Sequence, residues 1–100
     1  MKSLINLTTL ELSSNKITDD GMKGLTNLTT LCLYNNKITD DGIKDLTNLI
    51  TLELWKNSKI TDDGIKGLIN LTTLKLYGHS KITNNCINKL RKKGVNVIEE

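Results

Sequence analysis

The stretch KITDDGIK occupies residues 37–44 and recurs unchanged at residues 59–66. A copy with one substitution, KITDDGMK, stands at residues 16–23, and a more divergent copy, KITNNCIN, at residues 81–88. Self-similarity at a period of about 20–50 residues is the signature of a protein built from stacked repeats. The sequence therefore predicts four stacked units, and it disfavours a compact globule around one central core.

Alignment of the chain on this motif defines the boundaries of the units. The units are residues 7–27, 28–48, 49–70 and 71–92. We expect one domain over residues 1–100, because this length is ordinary for a single domain. In the remaining segment, residues 93–100, Gly94 predicts the end of a helix, and Val95 and Val97 predict a closing strand with an inward apolar face.

Each unit has a strand-like half and a helix-like half. The first half, as in LTTLELSSN at residues 7–15, alternates apolar and polar residues, which is typical of a strand with one buried face. The second half places apolar residues three apart, as with Ile43 and Leu46, which suits one face of a helix of about two turns. This order predicts a parallel β-sheet with the helices behind it.

The pattern LxxLxLxxN in the first half of the units resembles the leucine-rich repeat family, and the resemblance covers residues 4–92. It implies an α/β fold, a right-handed leucine-rich-repeat solenoid in the form of a horseshoe arc. The parallel sheet would line the concave face and the short helices the convex face. Units three and four carry one extra residue and resemble the cysteine-containing subtype, with Asn57 and His79 where that subtype has cysteine. The chain thus resembles a mixture of ITD-type and cysteine-containing-like units.

The paired aspartates of the repeated motif have two interpretations. Stacking would align them in a column suited to a divalent cation, but calcium prefers six or more oxygen ligands, which this spacing does not gather. Alternatively, threonine or the first aspartate caps each helix, and both carboxylates favour its N-terminal end. Unit four replaces both members of an expected i,i+4 ion pair together, by Asn84 and Asn88. We therefore favour the structural interpretation. The expected pairs are Asp19–Lys23, Asp40–Lys44 and Asp62–Lys66.

The three aromatic residues of the protein occupy one position of the unit, directly after the second inward leucine of the strand. Neighbouring strands lie about 4.8 Å apart, so these side chains should form a contiguous row on the concave face. Tyrosine and tryptophan are enriched at binding hot spots, although they can also simply cover strand backbone. Charged residues and one cysteine stand at adjacent outward positions. The predicted partner-binding residues are Tyr34, Trp55, Tyr77, Glu11, Glu53, Lys75, Lys56 and Cys32.

Cysteine and histidine content argues against catalysis and metal binding. Cys32 and Cys86 form no CxxC motif, and His79 is the only histidine. Cys32 is expected on the concave side and Cys86 on the helical side, so no disulfide should join them. We predict no catalytic, cofactor-binding or metal-binding residue, and we do not expect an enzyme.

Charge and hydropathy narrow the partner classes. The formal net charge of +3 depends on four cationic residues within residues 89–93, and without them the total is 10 − 11 = −1. A nucleic-acid partner is not expected, because no general basic stripe is present. No apolar run is long enough for a signal peptide or a membrane span, so we expect a cytoplasmic protein without a membrane partner.

Three functional hypotheses remain. Leucine-rich repeats mostly serve as recognition surfaces, so the resemblance implies binding of a protein partner through the concave face. The N-terminal segment begins in mid-unit, with Leu4 at the position of Leu25 and no polar cap before it. This favours either a fragment of a longer array or a homo-oligomer formed through the N-terminal edge. The ITDDG spacing also suggests the substrate-recognition segment of a ubiquitin-ligase-type adaptor.

Overall fold

The computed structural model describes residues 7–13, 18–34, 37–55, 59–78 and 81–100. Within these ranges, strands and helices alternate along the chain. The strands are β1 (Thr9–Ser13), β2 (Thr30–Tyr34), β3 (Thr51–Leu54), β4 (Thr73–Leu76) and β5 (Asn96–Glu99). The helices are α1 (Asp19–Met22), α2 (Asp40–Ile43), α3 (Asp62–Ile65) and α4 (Asn84–Lys92).

The five strands form one parallel sheet in which the spatial order equals the chain order. The register pairs equivalent positions of successive units, so Leu31 faces Leu52 and Leu52 faces Leu74. In the last pair of strands, Leu74 of β4 faces Val97 of β5. The prediction of an α/β leucine-rich-repeat solenoid is confirmed, and β5 lies in the closing segment at the edge of the sheet.

The core lies between the sheet and the helices. The inward leucines of the strands, such as Leu52 and Leu74, are fully buried, and so are the apolar residues of the helices, such as Ile43. Burying one aliphatic side chain of this size contributes about 1.5–3 kcal/mol. No polar or charged residue falls in the buried class in the part of the chain that the structure describes. Each unit therefore presents an almost purely apolar interior to its neighbours.

Three of the four helices are shorter than the two turns that the sequence predicts. α1, α2 and α3 have four residues each, whereas α4 has nine. In α2 the chain leaves the helix directly after Ile43, where the Leu46 amide donates to the Ile43 carbonyl at 2.9 Å in a tighter turn. α4 continues to Lys92, and Gly94 follows it with φ +92°, the left-handed conformation that glycine adopts without strain.

No helix in the described ranges is long and apolar enough to cross a bilayer.

Candidate protein-binding face

The first aspartate of each pair bonds to the threonine of the next unit. Asp19 accepts a hydrogen bond from the Thr39 amide at 2.8 Å and another from the Thr39 hydroxyl at 2.5 Å. Asp40 accepts the same two bonds from Thr61, with the amide at 2.7 Å. Each carboxylate is therefore fully engaged in joining two units, which supports a structural role. The third link joins Asp62 to Thr83, with distances of 2.9 Å to the amide and 2.6 Å to the hydroxyl.

The second aspartate of each pair forms the ion pair, so the i,i+4 pairing predicted for the first aspartate is wrong. The observed pairs are i,i+3, such as Asp41–Lys44 at 3.2 Å, because Asp40 is directed towards the next unit. All of them are largely exposed and contribute little to stability. The other two pairs are Asp20–Lys23 at 3.4 Å and Asp63–Lys66 at 3.2 Å.

Threonine stands at the N-cap of every helix, but it caps through its side chain only at α4. There the Thr83 hydroxyl accepts a hydrogen bond from the Cys86 amide at 3.2 Å. At the other three N-caps no side-chain cap is formed. No cluster of three or more histidine, cysteine or acidic residues able to hold a metal occurs in the described ranges.

The face of the sheet that points away from the core, here called the open sheet face, carries the three aromatic residues as a stack. The rings of Tyr34 and Trp55 have centroids 5.0 Å apart at an interplanar angle of 28°. Those of Trp55 and Tyr77 are 4.1 Å apart at 29°. The strand ladder sets this arrangement, because the Trp55 amide donates to the Leu33 carbonyl and the Tyr77 amide to the Leu54 carbonyl, both at 2.9 Å. Each ring is half-buried.

The predicted charged neighbours lie in one column beside the stack. The register places Glu11 opposite Cys32, Cys32 opposite Glu53, and Glu53 opposite Lys75. The Cys32 thiol is 4% exposed and lies 3.8 Å from a carboxylate oxygen of Glu53, as a weak donor. The other three members of the column are exposed or half-exposed. Lys56, the remaining predicted binding residue, lies outside the described residues, as do Asn57 and His79.

The surroundings of the Cys32 thiol in this column and of the Tyr34 hydroxyl in the stack favour the protonated form of both groups. Burial raises the pKa of the Cys32 thiol, and the Glu53 and Glu11 carboxylates add to the effect, while the nearby polar groups of Tyr34 and Trp55 oppose it. A hydrogen bond with Cys32 is the main cause that raises the pKa of Tyr34 to about 12, with burial and the same carboxylates contributing. Since the thiolate is the reactive form of cysteine, Cys32 is a poor nucleophile.

Trp55 carries a polar atom whose bonding potential is not used. Its Nε1 is buried and has no hydrogen-bond partner in the part of the chain that the structure describes. The indole nevertheless lies close enough to the Cys32 thiol to lower the pKa of that group. An unsatisfied buried donor costs about 1–3 kcal/mol, so an acceptor supplied by a ligand would recover free energy here.

Two functions of polar residues were missed at the sequence level. The aspartate–threonine links join residues of different units, and the only signal for them is that both residues recur in register. The second is Arg91, whose guanidinium donates to the Val97 carbonyl at 2.9 Å and lies 3.4 Å from Glu99. One member of the basic cluster thus holds the edge strand β5 in place. Cys32 and Cys86 are both free thiols.

Comparison with known families agrees with the architecture. Residues 5–47 match the family model described as Leucine Rich repeats (2 copies). The internal repeat extends the same pattern through units three and four. The match supports a leucine-rich repeat protein, and members of this family generally mediate protein–protein interaction and are typically non-enzymatic scaffolds. A search of curated proteins found no significant match. The assignment to a mixed subtype stays a prediction.

Proposed function

We propose that this protein binds a protein partner through its open sheet face, with Tyr34, Trp55 and Tyr77 as the anchoring side chains. The observation that carries the proposal is the continuous stack of three half-buried rings. Large aromatic side chains bring contact area at low cost in rotamer entropy, and they dominate binding hot spots. Stacking restricts the rings before a partner arrives, which lowers the entropy lost on binding.

The buried Nε1 of Trp55 supports a polar contact at the centre of the same face. A carbonyl or carboxylate of the partner that reached this atom, after a small shift of the rings, would satisfy a donor without a partner in the described structure. Binding would then combine an apolar contact with one directional hydrogen bond. Such a combination is common where tryptophan lies at an interface.

Negative and positive charges lie at different ends of the proposed face. Glu11 and Glu53 place negative charge beside Tyr34, whereas Lys75 places positive charge on β4. A partner with basic groups over β1 to β3 and acidic groups over β4 would match this pattern. Complementary charge of this kind sets orientation and association rate more than affinity. We also propose Lys56 and Cys32 as members of the face, and the cytoplasm as the location.

The test compares two triple variants in partner capture. The first removes the stack, as Tyr34→Ala/Trp55→Ala/Tyr77→Ala. The second, Lys23→Ala/Lys44→Ala/Asp45→Ala, changes three exposed residues on the helical side that do not belong to the open sheet face. A protein captured by wild type is purified, and its dissociation constant is measured by calorimetry. We expect the first variant to lose at least about 100-fold in affinity, since each hot-spot residue contributes about 2 kcal/mol or more. The second variant should bind like wild type.

The same proteins also require a check of folding and self-association. Removal of the stack costs about 1–3 kcal/mol of stability, so circular dichroism must show that the variant is folded at the temperature of the assay. Equal affinity of both triple variants for the partner would overturn the proposal. Light scattering over a concentration series tests the structural alternative. A dimer lost with the stack means that the protein occupies its own face, and a dimer kept in both variants means association elsewhere.

A further inference from the structure

A second candidate surface lies on the helical side, between units three and four. It is a cavity of about 240 Å³ between the turn after α3 and the helix α4. Its floor is apolar and its rim carries three lysines, none of which belongs to the open sheet face. The floor includes Leu68, Leu71, Leu90 and Val95. The rim includes Lys66, Lys89 and Lys93.

The cavity arises where the packing of successive helices changes. α1 packs on α2 and α2 on α3, while α4 makes few backbone contacts with α3. At Gly64 a Cβ atom would collide with the Asp40 carboxylate of the preceding unit and lie 3.2 Å from its Cα. The corresponding residue of unit four is Cys86, which has a Cβ and a thiol. We attribute the cavity to the Cys86 side chain, which holds α4 away from the position that a glycine would permit.

One wall of the cavity presents an unusually exposed aliphatic residue. Ile69 is 80% exposed, and it lines the cavity together with the half-buried Cys86. Units one and two carry Thr26 and Thr47 at the equivalent position, so the apolar residue is particular to unit three. An exposed isoleucine alone needs no explanation. Here it extends an apolar cavity, which makes an apolar ligand group the natural occupant.

The size of the cavity and the charge around it indicate the occupant. Small-molecule sites typically span about 300–1,000 Å³, so this cavity suits one side chain better than a whole ligand. Of the three rim lysines, Lys66 is already paired with Asp63 at 3.2 Å. Lys89 and Lys93 lie one helical turn apart at the end of α4 and leave a net positive rim. We propose that this cavity binds an acidic peptide segment of a protein partner, which inserts one aliphatic side chain between Ile69 and α4.

The probe is a short fluorescein-labelled peptide with a central leucine flanked by glutamates. Fluorescence anisotropy with the wild-type chain should give saturable binding that weakens as salt is raised, because exposed charges are screened. A peptide with serine for leucine should bind at least about tenfold more weakly, since it lacks the apolar anchor. A peptide with lysines for glutamates should not bind.

Variants of the chain locate the bound peptide. Lys89→Glu/Lys93→Glu and Ile69→Glu should each lower the affinity about tenfold or more, and they alter only exposed residues. The matched controls are Lys23→Glu, which is the equivalent of Lys66 in unit one, and Ile50→Glu, a half-exposed isoleucine outside the cavity. Both controls should leave the affinity unchanged. Thermal unfolding followed by circular dichroism must show that each variant is folded.

Cys86→Gly tests the origin of the cavity. Restoring glycine should let α4 approach α3, close the cavity and abolish peptide binding, whereas Cys86→Ala keeps a Cβ and should retain most of the binding.

The proposal is overturned if the wild type does not bind the peptide at millimolar concentration. It is also overturned if Lys89→Glu/Lys93→Glu and Ile69→Glu bind the peptide like wild type. Loss of binding in the Tyr34→Ala/Trp55→Ala/Tyr77→Ala variant alone would assign the peptide to the open sheet face instead. Binding of decanoate without binding of the peptide would make the occupant a free amphiphile and would also contradict the proposal.

Discussion

At the scale of single residues, Asp62 illustrates how one carboxylate serves two units. Burial alone would raise its pKa, but hydrogen bonds from the Thr83 hydroxyl and amide outweigh this effect, with further help from Cys86 and Lys89. The pKa of Asp62 is therefore held below its usual value. The ionised form is the one that accepts both bonds from Thr83, so the link between units three and four depends on the charge of this residue.

This dependence predicts a loss of stability in acid. Because the pKa of Asp62 is lower in the folded than in the unfolded chain, its contribution is fully present above about pH 4 and is lost as pH falls through the folded value. Urea unfolding at several pH values between about pH 6 and about pH 2 should show a smaller acid-induced decrease for Asp62→Asn than for wild type. Asp63→Asn, which changes an exposed neighbour paired with Lys66, should follow the wild-type curve. Superimposable curves for all three proteins would contradict this role of Asp62.

At the scale of elements, the glycine of the DDG motif is explained by close approach between helices. The helices α2 and α3 are each four residues long, and the glycine in each lies against the aspartate of the preceding unit. At Gly42 a Cβ atom would lie 2.6 Å from a carboxylate oxygen of Asp19. Aspartate, threonine and glycine thus act together to join neighbouring units. Glycine leaves the space, aspartate fills it, and the threonine of the following unit is held by the aspartate.

Gly64→Ala should therefore destabilise the protein, although alanine is intrinsically the better helix former by about 1 kcal/mol. The new methyl group displaces the Asp40 carboxylate from Thr61, and we expect a net loss of about 1–3 kcal/mol in the free energy of unfolding. Gly67→Ala is the matched control, because its Cβ would meet only the Lys44 carbonyl at an ordinary 3.6 Å. That variant should stay within about 0.5 kcal/mol of wild type or gain slightly. Urea unfolding measures both, and equal stability of the two variants would contradict the packing argument.

The sequence predicts the strands and the aromatic row well, because both follow from a period of two within a unit and a period of 21 or 22 between units. It predicts the ion pairs wrongly, because the first aspartate of each pair is occupied by the threonine of the next unit. Lys44, for example, pairs with Asp41 because Asp40 accepts hydrogen bonds from Thr61. The hydrogen bonds that Asp40 accepts from Thr61 could not be predicted, since the direction of a side chain between stacked units depends on the distance between the units. The cavity beside Cys86 could not be predicted either, because it depends on a small change in the distance between α3 and α4.

At the scale of the whole molecule, the fold is close to one-dimensional. Each strand contacts only its neighbours in the sheet order, and α1, α2 and α3 pack in sequence. Stability in such a chain is approximately the sum of the stabilities of the units and of the interfaces between neighbours. One aspartate–threonine link stands at each of the interfaces between units one and two, two and three, and three and four. The position of a disrupted link should therefore determine which part of the chain opens.

Asp19→Ala and Asp40→Ala test this spatial order. Each removes two hydrogen bonds to a charged acceptor at one interface, and we expect a loss of about 1–3 kcal/mol in either case. Native-state hydrogen exchange should distinguish them, because it measures opening at each amide. In Asp19→Ala the amides of β1 should lose protection while those of β2 to β5 keep it. In Asp40→Ala both β1 and β2 should lose protection relative to β3, β4 and β5, since two units then lie beyond the weakened interface. Asp41→Ala, which removes only an exposed ion pair, should change neither pattern. An equal loss of protection in all five strands for both variants would mean that the solenoid opens as a single cooperative unit, and the additive description would then fail for this chain.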